Sequence, residues 1–264
     1  MINSSNLKQV LEINSQLLDS VTNAIEALKM ENSLFISKPL QAIKYYMNIE
    51  TQIILMPVKS LDTFGGSLIH KNGRFYTFIN TATPKLYENL TWAHEFYHYR
   101  YEKNLIMENQ NKTLYDDAIT NKYERKAYLF ATELLIDNNM LNKELLLIQK
   151  ASENGDLKIN IFELIFKLME TFEVPYKAII LKLAQYNYIK LESAQKLISM
   201  DYRTIIPKDF DKSLLNPSMA IKFDNMNDDS LNTIEFKSKS TEEQRKYLTR
   251  KYNEILSQIQ KDAI

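Results

Sequence analysis

The sequence predicts an α+β fold, predominantly helical, with a small sheet of about three strands, and three observations predict it. Leucine, isoleucine, lysine, glutamate and tyrosine abound while the 264 residues include only four glycines, a balance that suits long helices better than a β-rich sandwich. Apolar residues recur at three- and four-residue spacing along much of the chain. Short apolar runs bounded by turn residues gather between positions 51 and 80.

Taken in order, Leu7, Val10, Leu11, Leu17, Leu18, Val21, Ile25 and Leu28 predict one long or two short amphipathic helices. A second helix is expected from Ser37 to about Asn48, with Pro39 in its first turn. Thr51 to Val58 reads as a strand. Phe64 to His70 and Arg74 to Asn80 flank Asn72-Gly73, a hairpin signal, and Gly65-Gly66 marks a bulge, a close approach of another backbone or an ordinary loop-to-strand junction. Thr83-Pro84 opens a helix through Leu86, Leu90 and Ala93 to about Lys103. Helices are expected next at about Leu114 to Ile136, Met140 to Gln149, Asn160 to Glu170 and Tyr176 to Tyr186. Beyond Ile189 the pattern loosens, until a capping box at Ser240 and Glu243 precedes a helix carrying Leu248, Tyr252, Ile255 and Ile259.

Composition limits the chemistry. Lysine plus arginine (33) balances aspartate plus glutamate (33), so whole-chain charge lacks the footprint of a dedicated nucleic-acid binder, and no direct nucleic-acid contact is expected. The absence of cysteine removes disulfides, thiolate ligands and cysteine nucleophiles, leaving histidines and carboxylates to hold any metal. No window approaches about eighteen uninterrupted apolar residues and the first residues lack a signal-peptide pattern, so a cytoplasmic protein without membrane contact is expected.

Two of the three histidines sit in His94-Glu95-Phe96-Tyr97-His98. On a helix, positions i and i+4 share one face, so both imidazoles can bind one Zn²⁺ while Glu95 lies close enough to activate a water. Catalytic zinc usually takes three protein ligands, and the third must be His, Asp or Glu. His70, beside the hairpin turn, is expected to be exposed. Glu124 is the better candidate: Ala127 and Ala131 follow it on a similar helix face, and small residues there let two helices approach closely. A solvated surface glutamate is the competing reading.

Ala93-His94-Glu95-Phe96-Tyr97-His98, followed by Glu124-Arg125-Lys126-Ala127-Tyr128-Leu129-Phe130-Ala131-Thr132-Glu133-Leu134-Leu135, resembles the ImmA/IrrE metallopeptidases in the order and spacing of both blocks. The resemblance covers roughly residues 37–190, including Val174 to Leu183, and implies a zincin-like core with Glu124 as third ligand. It divides the chain into an N-terminal helical segment (1–36), a zinc metallopeptidase domain (37–190) and an appended C-terminal segment (191–264). This chain departs from the family pattern at Tyr97, where a glycine is usual, and at Ile136-Asp137, where a proline often follows the paired leucines.

The expected function is that of a zinc-dependent intracellular endopeptidase in which His94, His98 and Glu124 hold Zn²⁺ and Glu95 moves the proton. Iron or manganese can occupy such a triad too. Tyr97, Tyr99, Tyr101 and Tyr128 are candidates for stabilising the oxyanion. The resemblance further implies a protein substrate, a helix-turn-helix repressor, whose cleavage relieves control of mobile-element or stress genes. A regulatory protein that grips a repressor or toxin without cutting it is the alternative. A non-protease zinc hydrolase is a third reading, which the ExxAxxFA block disfavours.

Overall fold

The computed structural model describes residues 2–58, 65–108, 121–153 and 160–224. Helix α1 (Leu7–Glu31) is continuous, and its buried residues Leu7, Val10, Asn14, Leu17, Val21, Ile25 and Leu28 keep the spacing that places them on one face. Asn14 is the one polar member of that stripe. After a single helical turn, α2 (Leu34–Ser37), helix α3 (Pro39–Glu50) starts with proline in its first turn, where a missing N–H leaves no bond unmade. It buries Ala42, Ile43 and Met47.

The sheet comprises β1 (Gln52–Met56), β2 (Gly66–Lys71), β3 (Arg74–Asn80) and β4 (Lys222–Asp224), in the order β2-β3-β1-β4. It therefore has four strands where three are expected. β4 pairs antiparallel with β1, and a segment of three residues carries too little periodicity to be read as a strand in advance. β1 runs parallel to β3, and β2 and β3 form the hairpin. Asn72 and Gly73 turn it with φ of 52° and 73°, the doubly left-handed backbone whose twist matches that of antiparallel strands.

Helix α4 (Lys85–Tyr101) packs on β2 and β3 and against α6 (Lys122–Leu135), with the short α5 (Lys103–Glu108) following it. The Asn121 side chain accepts from the backbone N–H groups of Tyr123 and Glu124 and so fixes the start of α6. The earlier start expected near Leu114 lies outside the described residues. Between α4 and α6 the core is aromatic: Tyr97 and Phe130 have centroids 5.1 Å apart, and Phe96 stacks on Phe35 at 5.6 Å. α1 covers α6 from another side.

Helices α7 (Asn138–Glu153), α8 (Ile161–Phe172), α9 (Tyr176–Gln185) and α10 (Leu191–Ser199) complete the helical part. A capping box between Asn160 and Glu163 starts α8. Inside the core, Lys182 of α9 and Tyr186 both donate to Glu133 of α6, a buried charge pair whose hydrogen bonds offset its desolvation. Residues 216–220 fasten to the start of α4: Met219 N–H donates to Thr81 O at 3.0 Å, Thr81 Oγ1 to Ala220 O at 2.8 Å, and Ser218 Oγ to Glu88 at 2.7 Å. Phe64, the Ser240 capping box and the helix expected after it lie outside the described residues. Among the described residues no helix is long and apolar enough to cross a membrane.

Candidate metal centre

Because α4 is helical through His94 and His98, their rings lie on one face with centroids 4.8 Å apart. Their Nε2 atoms are 3.1 Å apart. Glu124, in the first turn of α6, brings Oε2 to 3.0 Å from His94 Nε2 and Oε1 to 3.4 Å from His98 Nε2. Ala93, Ala127 and Ala131 are all fully buried, and these small side chains let the two helices approach closely enough to face one another with ligand-type atoms.

The three residues each offer one atom within 4.8 Å of the others, so they could hold a metal ion. Zinc–nitrogen and zinc–oxygen bonds of about 2.0–2.1 Å in a tetrahedron require ligand atoms about 3.3–3.4 Å apart; the two nitrogens stand a little closer, at 3.1 Å, and each has one of the two Glu124 oxygens near that spacing, at 3.0 Å for Oε2 and 3.4 Å for Oε1. The donor set, two imidazoles and one carboxylate, suits zinc and leaves a fourth position for water. The chemistry of the residues present therefore matches the metal that the sequence implies.

The two glutamates of the site differ in their surroundings. Burial works to raise the Glu124 pKa, but hydrogen bonds and charge from His94 and His98 outweigh it and hold the carboxylate well below its ordinary range. Glu95 is 4% exposed, and there burial dominates, pushing its pKa up against the opposing pull of both imidazoles and a backbone hydrogen bond from Leu68. One carboxylate is set to stay anionic and the other to exchange a proton, the separation that acid–base sites use. Burial also disfavours the charged form of His98, yet its bonds to Glu102 and Glu124 prevail and set its pKa at about 10.

Other residues complete the surroundings. His70 stands apart from the cluster: it lies in β2 at the hairpin end, half-buried, with its ring 4.8 Å from that of Phe75. Tyr99 OH donates to Glu50 and Tyr101 OH to Ala24 O, so both hydroxyls are engaged away from the metal-type cluster. Tyr97 is buried against Phe130 and Tyr101. Tyr128, one helical turn after Glu124, lies under the Arg125 guanidinium at 4.5 Å.

Two features were not singled out from sequence. Glu102 bonds His98 Nδ1 at 2.7 Å, and its position four residues after His98 was the available signal. Leu68 N–H reaches Glu95, which the pattern of β2 could not show. Gly66 allows that approach: a Cβ there would stand 2.6 Å from Thr91 Cγ2, 2.7 Å from the Phe78 carbonyl and 3.4 Å from Glu95 Cγ. Gly65-Gly66 is thus a close approach of strand to helix.

No curated protein and no solved structure matches the chain. Residues 54–184, which run from within β1 into α9 and include His94, His98 and Glu124, match the model of the IrrE N-terminal-like domain, Peptidase_M78. That domain spans the centre of the sequence and matches what an ImmA/IrrE family metallopeptidase carries.

Proposed function

We propose that the chain is a zinc-dependent endopeptidase that cuts a helix-turn-helix transcriptional repressor in the cytoplasm. The observation carrying this reading is the convergence of His94 Nε2 and His98 Nε2, 3.1 Å apart, on the Glu124 carboxylate, whose Oε2 lies 3.0 Å from the first and Oε1 3.4 Å from the second, beside the buried carboxylate of Glu95. Zinc held by these three residues would lower the pKa of a water and polarise the scissile carbonyl.

The remaining steps belong to the protein. Glu95, its proton affinity raised by burial, takes the water's proton and delivers it to the leaving amine. Leu68 N–H fixes the orientation of that carboxylate. Since this N–H points to Glu95 and not to β3, the edge of β2 borders the site, and a substrate segment can lie along it in extended form through main-chain bonds. A repressor as substrate rests on family analogy.

The test is incubation of the zinc-loaded chain with any helix-turn-helix repressor encoded beside its gene. Discrete repressor fragments with the wild type, and none with Glu95→Gln that still holds zinc, are expected. Fragments from Glu95→Gln would refute the assigned role of Glu95. An intact repressor held in a stable complex would establish the non-cleaving alternative.

A further inference from the structure

Glu102 stands where a carboxylate is not expected to stabilise a fold. It is the C-cap of α4, at the helix end that carries partial negative charge, and its side chain is 9% exposed. Neighbouring cations are engaged elsewhere: Arg100 pairs with Glu31, and Lys103 donates to Tyr99 and lies over Phe75. Among the described residues its ionic partner is His98, with Nδ1 at 2.7 Å.

We propose that Glu102 is a positioning residue for the metal centre, orienting His98 and fixing its tautomer. An ionised carboxylate only accepts hydrogen bonds, so Nδ1 must carry the hydrogen, and in the neutral ring Nε2 then presents its lone pair. Nε2 itself stands 3.1 Å from His94 Nε2 and 3.4 Å from Glu124 Oε1, so a metal held there would meet that lone pair. The bond also locks the ring plane and makes Nε2 a stronger ligand, as carboxylates behind metal-bound histidines do elsewhere. Local rules broken at a helix end are thereby explained by the site they serve. The inference rests on the metal reading of His94, His98 and Glu124.

Zinc affinity decides it, measured on the full chain by competition with a chromophoric chelator, alongside melting of the metal-free protein. Glu102→Ala is expected to weaken zinc binding about 10–100-fold. Glu102→Gln keeps an oxygen able to accept from Nδ1 and is expected to fall between wild type and Glu102→Ala, with metal-free melting unchanged. Should Glu102→Ala fail to fold, Glu102→Leu, which also lacks an acceptor, carries the test. Wild-type zinc affinity in Glu102→Ala or Glu102→Leu, with zinc lost in Glu124→Ala, would overturn the positioning role while leaving the metal reading intact. A wild-type chain that takes up no zinc would overturn the metal reading and this inference with it.

Discussion

Arg125 Nε donates to Asn14 Oδ1 across 3.0 Å, joining the first helix of the chain to the residue beside Glu124. Both residues are buried, and burial pushes the Arg125 pKa down to about 10 against the opposing effect of Tyr128. Asn14 interrupts the apolar stripe of α1 and gives the Nε of this guanidinium its acceptor. Asn14→Leu should therefore destabilise the chain by about 1–3 kcal/mol despite adding apolar surface, since it strands a buried donor. A denaturant midpoint equal to or above that of the wild type would contradict this.

The Gly66 position predicts a sharper effect than its neighbour. A Cβ at Gly66 meets a backbone carbonyl, that of Phe78, whereas a Cβ at Gly65 meets only the Thr91 side chain. Gly66→Ala should force β2 away from α4 at a cost of about 1–3 kcal/mol and weaken cleavage by moving Leu68 from Glu95, with Gly65→Ala milder on both counts. Paired melting curves and cleavage rates check the order; equal effects would count against it.

Asp137 predicts an acid dependence. Burial tends to raise its pKa, but Lys29 at 2.9 Å and the N–H groups of Asn139 and Met140 outweigh it and lower the value below 3.8. A lowered folded pKa contributes stability above the unfolded value, and that contribution is lost as pH falls through the folded one. Asp137→Asn should cost up to about 1 kcal/mol at pH 7, a difference that shrinks toward zero as pH falls through the lowered pKa of Asp137. Unfolding midpoints across that range measure it, and a gap that stays constant with pH would contradict it.

How far the sequence could be read depends on how local each feature is. The α4 motif, the Asn72-Gly73 hairpin and the small face of Ala127 and Ala131 are patterns within a few residues, and each stands in the structure as expected. Asn14–Arg125 and Lys29–Asp137 join residues 111 and 108 positions apart, a separation that no periodicity reports. The departure at Ile136-Asp137 becomes intelligible only through the second contact, because Asp137 both accepts from the start of α7 and pairs with α1. Likewise Tyr97, where a glycine is usual, fills the aromatic core between α4 and α6. The fourth strand was hidden because β4 is defined by its partner β1 and not by its own residues.

The most direct measurement of the central claim is zinc content by elemental analysis after loading and removal of free metal, in wild type and Glu124→Ala. About one zinc per chain in the wild type and almost none in Glu124→Ala is the expected result, because two imidazoles without the third ligand hold zinc weakly. Equal zinc in both proteins, or none in either, would contradict the assignment of His94, His98 and Glu124 as the metal centre.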